Sequence, residues 1–300
     1  MLIDFLQENY NWRDVSYMSN ELVKTDKGLK RIRYWEDKQL LKWHISWRDH
    51  CSDTPYLLMD RMLRTRNQKP YAEHEDGYIT AHDEVVDRYP ISGQEPIIAN
   101  TIVSFIQYGL KTEVNIFPQR VSKCVYDHLD SYIPYLREDQ RMDCDFLIRE
   151  GEMREKKADA LMELTDSTPL PYLDPMMSTD QMRSVAKVLY WVGTMEVPVV
   201  GYEHVARFFR HWYVEEGEQS CIKLMQGVVD QLEREQLIQI LAEMLKPYEL
   251  NDWQINVEDG TIDRETLEER FQLVKKEWDI SKQLVHIMSK MIDKKKVSVT

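Results

Sequence analysis

Three hundred residues carry a formal net charge of −13 and a pI near 5.2, with 43% apolar and 30% charged residues. That balance suits a soluble globular chain with one large domain or two lobes, and it excludes collagen-like, low-complexity and repeat architectures. No stretch approaches the roughly 18 uninterrupted apolar residues of a membrane span, and the acidic balance argues against nucleic acid as a partner, which needs a basic footprint.

Local basic spots at Lys27–Arg33, Arg61–Arg66 and Lys294-Lys295-Lys296 read as a solvated strand, a loop and a frayed tail. Cys51, Cys124, Cys144 and Cys221 form no CxxC pair, so reduced thiols are expected. No HExxH occurs, and His204/His211 and His44/His50 lack the i, i+4 spacing of a helical metal site. No metal site is expected. The first residues carry acids early and lack a basic segment before an apolar core, so no signal peptide is expected and the chain reads as cytoplasmic when synthesised.

Leu2, Phe5 and Leu6 share one helical face and predict a short helix over 2–10. Residues 15–25 supply one or two strands. Lys24–Trp47 then reads as strand, turn, strand, helix. Asp26-Lys27-Gly28 is turn chemistry, since glycine takes positive φ without steric cost, and Leu29–Tyr34 partly alternates. The period changes at Leu40, Trp43, His44, Trp47 and Cys51, which recur on one face of a helix over 36–51. Ser52-Asp53-Thr54-Pro55 breaks it. Tyr56–Thr65 reads as a strand ending in a basic patch, and Tyr71–His74 and Tyr78–Ala81 as two more, giving about five strands and one helix in the first 85 residues.

Arg88-Tyr89-Pro90 and Ser92–Pro96 mark a linker, after which only helices are expected. Apolar spacing places them over 96–110, after Pro118 (Val121, Cys124, Val125, Leu129, Tyr132), over 153–164, at Val205–Trp212, at Leu237–Leu245 before Pro247, at Leu267–Trp278 and at Leu284–Met291. The division is a β-rich lobe over 1–85 and a helical lobe over 86–300, an α+β arrangement. Neither GxGxxG nor a Walker A sequence is present, so a glycine-rich phosphate clamp is absent.

This layout resembles the spore-coat kinase-like proteins of the CotS and YutH type, within the aminoglycoside-phosphotransferase and choline-kinase branch of the protein-kinase-like fold. The resemblance rests on Lys24–Arg31, Arg61–Tyr71, Tyr78–Asp83, Glu196–Arg210 and Leu245–Trp253. Lys24–Arg31 looks like the family's hairpin entering the lysine strand. Tyr78–Asp83 looks like the strand entering the hinge, and Val205–Arg210 like the helix after the metal-binding strand. The resemblance implies a bilobal kinase-like fold with a nucleotide cleft. It also implies an HGD-type segment, a downstream Asn, and an Asp that holds Mg²⁺.

This sequence departs from that pattern. Leu170–Pro175 stands in the catalytic segment, with Tyr172 and Leu173 in the His and Gly positions and only Asp174 retained. Thr179 stands at the Asn position, and Tyr190 in Lys187–Trp191 at the metal-binding Asp. A tyrosine, with a pKa of about 10, offers Mg²⁺ no anionic oxygen at neutral pH. The phosphate-pairing lysine falls on Lys30 or, in strand register, Arg33. Asp174 is thus a vestigial catalytic residue, and Lys30 and Arg33 line a vestigial nucleotide cleft. No cofactor is expected; ATP and magnesium are conceivable but unsupported.

The leading expectation is a pseudokinase-like structural or interaction protein of endospore coat formation, with coat or sporulation proteins as partners and the spore coat as destination. One alternative is an active small-molecule phosphotransferase with Asp174 as base and an acid from Glu196, Glu203 or the Asp180 region on the metal. Another is an unrelated α+β adaptor that binds through exposed tryptophans among Trp35, Trp43, Trp47, Trp191, Trp212, Trp253 and Trp278.

Overall fold

The computed structural model describes residues 2–52, 56–113, 117, 124, 126, 128–175, 177–258 and 264–298. The chain opens with α1 (Leu2–Tyr10), β1 (Ser16–Tyr17), β2 (Leu22–Thr25), β3 (Gly28–Trp35), α2 (Lys38–Cys51), β4 (Leu57–Met59), β5 (Ala72–His74) and β6 (Gly77–Asp83). It continues through α3 (Glu95–Gly109), α4 (Glu138–Glu163), β7 (Tyr172–Leu173), β8 (Met182–Val185), β9 (Val188–Trp191), β10 (Val199–Val200), α5 (Glu203–Val229), α6 (Arg234–Leu245), α7 (Tyr248–Glu258) and α8 (Arg264–Ser298).

The hairpin expected at Asp26–Gly28 forms. Gly28 sits at φ 90°, and the Thr25 hydroxyl donates to the Gly28 carbonyl at 2.9 Å. An antiparallel sheet follows in the order β1-β2-β3-β6-β5. Leu6, Tyr10, Val23, Ile32, Ile79 and Ala81 bury α1 against one of its faces. On the other face, α2 starts where the Asp37 carboxylate accepts the N–H groups of Gln39 and Leu40, an N-cap worth about 1 kcal/mol.

The region before residue 85 holds two helices and six strands, among them the helix expected over 2–10 and both strands expected within 15–25. Tyr56–Thr65 is a strand only at Leu57–Met59, and it leaves the first sheet. It pairs in parallel with β9, Leu57 opposite Leu189 and Met59 opposite Trp191, in a sheet ordered β4-β9-β8. The region after residue 85 is therefore not all helical. β7 and β10 form a further antiparallel pair. These strands are too short for a period-2 signature, and the pairing comes from the tertiary fold.

The large core runs from α2 through α3, α5, α6 and α8. Trp43, Trp47, Phe105, Trp191, Phe208 and Trp212 form a chain of ring contacts in it. α2 and β4 thus belong to this core although they precede residue 85. All seven tryptophans proposed as an exposed surface are buried. Each places its large ring in a core, where burial contributes roughly 1.5–3 kcal/mol or more, so the tryptophan-interface expectation is overturned.

α4 begins at Glu138, well before the expected 153, and α8 runs unbroken where two helices were expected. The helix expected after Pro118 lies largely outside the described residues; 129–131 and 133–135 are single 3₁₀ turns. α5 breaks at Gly217, where φ is 80°.

The end of α3 sets the position of β7. A Cβ on Gly109 would lie 2.3 Å from the Tyr172 carbonyl oxygen and 2.9 Å from Pro171 Cβ. A helical Gly→Ala exchange ordinarily gains up to about 1 kcal/mol. Gly109→Ala is expected to do the reverse, lowering stability by about 1–3 kcal/mol through overpacking against backbone that cannot yield. Urea unfolding of the variant checks the sign.

Candidate functional site

Lys30 and Arg33 are three residues apart on β3, so they leave opposite faces of the strand. Lys30 Nζ donates to Asp83 Oδ1 at 2.6 Å and to the Lys27 carbonyl at 2.5 Å, which ties the hairpin to the end of β6. Arg33 faces α2. Its Nη2 lies 3.3 Å from Asp60 Oδ2, and its Nη1 donates to the Thr194 carbonyl at 3.4 Å. The two residues do not meet in one site.

Asp60 lies just past β4 and is 2% exposed. Its Oδ1 accepts Arg48 Nε at 2.7 Å and the Gly193 N–H at 3.0 Å. Arg48, on α2, is fully buried. It also donates to the Thr194 carbonyl at 2.8 Å and to His44 Nδ1 at 2.8 Å. Burial pushes the Asp60 carboxyl up, but Arg48 and Arg33, with the Gly193 N–H, outweigh it and hold the group below the usual carboxylate range. Gly193 permits this closeness, because a Cβ there would lie 2.5 Å from Trp47 Cζ3 and 2.7 Å from Arg48 Nη2.

Two histidines complete the cluster, and their partners fix both as neutral tautomers. His44 Nδ1 accepts from Arg48, so Nε2–H donates to the Glu196 carbonyl at 2.9 Å. His82 Nδ1–H donates to the Asp60 carbonyl at 2.7 Å. Its Nε2 accepts the Thr80 hydroxyl at 3.0 Å, and Thr80 accepts Trp35 Nε1–H at 2.9 Å. Burial pushes both imidazoles down, His82 to about 3 and His44 well below its ordinary value.

Asp174 follows β7 and is 3% exposed. Both of its oxygens are engaged by one residue: Oδ2 accepts the Thr194 N–H at 2.9 Å, and Oδ1 accepts the Thr194 hydroxyl. Burial pushes its carboxyl up to about 6, against those hydrogen bonds. Tyr172 and Leu173, at the family's His and Gly positions, are buried, and Thr179 donates to Glu215 Oε2 at 2.8 Å. Tyr190 donates to the Asp83 carbonyl at 3.2 Å. Of the three acids considered as metal holders, Asp180 pairs with Arg88 at 3.1 Å and Glu203 with Arg207 at 2.7 Å, while Glu196 is exposed two residues beyond Thr194.

This donor set does not fit magnesium. The carboxylate whose charge Asp174 feels is Asp60, and the cation between them is the Arg48 guanidinium. Among the described residues no three His, Cys, Asp or Glu side chains converge on one point. Arg48, Asp60, His82, Gly193 and Thr194 were missed by the sequence reading. Arg48 was within reach of it, since it stands four residues after His44 on the buried face of α2.

The cluster makes stability depend on pH. His82 titrates near 3 in the fold but near ~6.5 when unfolded, so below about pH 6.5 the unfolded chain binds a proton the fold refuses. Stability falls with acidification by about 2 kcal/mol between pH 7 and pH 5, and His44 acts in the same direction. Asp174 opposes this, because its folded-state pKa is raised to about 6; it returns about 1.4 kcal/mol over the same interval. His44 adds to the loss, so stability falls on acidification by more than the difference of about 0.6 kcal/mol between those two figures. Denaturant titrations at the two pH values measure it, and His82→Gln should remove most of one histidine's share; an unchanged slope in that variant would contradict the assignment.

The sequence matches no protein-family model, and no curated protein matches it significantly. Solved structures do resemble the fold. An aminoglycoside phosphotransferase from Alicyclobacillus acidocaldarius superposes with a TM-score of 0.63 at 10% identity, over 94% of this chain and 93% of its own. Amicoumacin kinase, solved with AMP-PNP, Ca²⁺ and amicoumacin, gives 0.52 at 10% identity over 94% and 93%. Spectinomycin phosphotransferase, solved with ADP and spectinomycin, gives 0.51 at 9% identity over 97% of each chain. With its N-terminal sheet and helical C-terminal region, this chain has the kinase-like α+β fold of the aminoglycoside phosphotransferases.

Proposed function

We propose that this chain is a non-catalytic protein on a phosphotransferase fold, acting as a structural or interaction module. The observation that carries the reading is the occupied state of both cleft carboxylates. Asp60 is neutralised by Arg48 and Arg33, and Asp174 has both oxygens on Thr194. Phosphoryl transfer consists largely of positioning and charge neutralisation by metal ions. A site whose buried arginines, Arg48 and Arg33, are both turned onto Asp60 is poorly arranged for that work. The sequence resemblance to spore-coat kinase-like proteins supports coat or sporulation proteins as the partners and the coat as the destination.

One observation favours a second reading, an active phosphotransferase with a divergent site. A buried carboxyl raised to about 6 is the kind of group that serves as a general base near neutral pH. The two readings separate on Asp174→Asn. For a non-catalytic protein, the wild type shows no Mg·ATP binding heat in the micromolar range and no transfer from labelled ATP to amino sugars or choline. In that case Asp174→Asn is as stable as the wild type at pH 7 or more so, because an ionised carboxylate at a desolvated position is costly. Turnover in the wild type that vanishes in Asp174→Asn would establish the enzyme instead.

A further inference from the structure

α7 and α8 enclose a cavity of about 360 Å³, and its described lining residues all belong to these two helices. Two hydrogen bonds show that the helices run antiparallel and mark the two ends of the space. At one end the Ser281 hydroxyl of α8 donates to Glu249 Oε1 of α7. At the other, Arg270 Nη1 of α8 donates to the Asn256 carbonyl of α7 at 2.5 Å. At 1.5 Å per residue, Glu249 and Asn256 stand about 10 Å apart along the helix.

The two ends differ in charge. Glu249 is 1% exposed. Its Oε1 is taken by Ser281 and lies 3.5 Å from Arg210 Nη1, but its buried Oε2 has no hydrogen-bond partner among the described residues. Glu277, one turn before Ser281, adds a second, half-buried carboxylate with no ion pair among the described residues. Burial pushes the Glu277 carboxyl up, and Glu249 and Asp252 push the same way against Arg210 and Arg207. Asp252, between the ends, is already held by Arg207 at 2.7 Å. The far end carries Arg270, half-buried and without a carboxylate partner among the described residues. Between them Trp253, 2% exposed, has a buried Nε1–H with no acceptor among the described residues, and Leu273 and Val274 supply apolar wall. A buried acceptor and a buried donor that both line one cavity and find no partner in the fold call for a ligand that satisfies each.

We propose that the cavity between α7 and α8 binds a small zwitterion, with its ammonium on Glu249 and Glu277 and its carboxylate on Arg270 and the Trp253 indole N–H. An ω-amino acid or a short peptide has this layout. A simple anion would face the carboxylates, and a dication would set one of its charges against Arg270. The site shares no residue with the Asp60–Asp174 cleft, so it is independent of whether that cleft is catalytic. Isothermal titration of the full chain with 6-aminohexanoate tests it, with 1,6-diaminohexane and hexanoate as single-sign controls. 6-Aminohexanoate is expected to bind with a Kd of about 1 mM or below, and each control at least about tenfold more weakly. Glu277→Gln and Arg270→Gln, both at half-buried positions, are each expected to weaken 6-aminohexanoate binding by about fivefold or more with circular dichroism unchanged. Absence of binding, a control that binds as tightly as the zwitterion, or binding indifferent to either variant would overturn the proposal.

Discussion

The buried carboxylate of Asp60 is the constraint on which the arrangement of the molecule turns. It receives Arg48 from α2, Arg33 from β3 and the backbone N–H of Gly193 after β9, so one side chain joins three separate stretches. Taking such ions out of water costs several kcal/mol each, and mutual attraction repays this only in good geometry. The cluster is therefore better read as fixing an arrangement than as a source of net stability. Shifting β3 relative to β9 would strand a charge with no water to receive it. The parallel pairing of β4 with β9 reinforces this, because Asp60 N–H continues the ladder onto the Trp191 carbonyl at 2.8 Å.

The same cluster decides what the cleft can hold. A phosphotransferase needs carboxylates that face a metal and a cation that faces phosphate. Here the cations and carboxylates face one another. Arg33 spends its guanidinium on Asp60 and the Thr194 carbonyl, and Lys30 on Asp83 at the far side of the strand. Thr194 links the two halves, giving its carbonyl to Arg48 and its N–H and hydroxyl to Asp174. Asp174 is tied through both oxygens to Thr194, and the Thr194 carbonyl is held in turn by two arginines.

The first hairpin, the face of α2 and the cores of α3, α5 and α6 were legible in the sequence because they rest on local signals: a glycine in turn chemistry and 3.6-residue spacing. β4 was read as part of a longer strand and β9 came only through the resemblance, while β7, β8 and β10 were not legible, since strands of two to four residues are made by the partners that flank them. Asp174 could be picked out by motif, but its environment could not, because Thr194 lies twenty residues further on. Asp60 was invisible for the same reason. A single acid after Leu-Leu-Met reads as the end of a strand until two buried arginines are seen to need it.

The tryptophans show how burial redirects a functional inference. Aromatic abundance pointed to a binding surface, yet the rings fill the space between α2, α3, β9 and α5, where large flat side chains bridge elements that strands this short hold weakly. With those rings inside, recognition falls to what is left outside, which on α4 includes Met142, Phe146 and Met153. Methionine adapts its shape to what it meets. At a net charge of −13 the surface as a whole repels its own kind, so association of like copies would have to come from apolar contact rather than from charge.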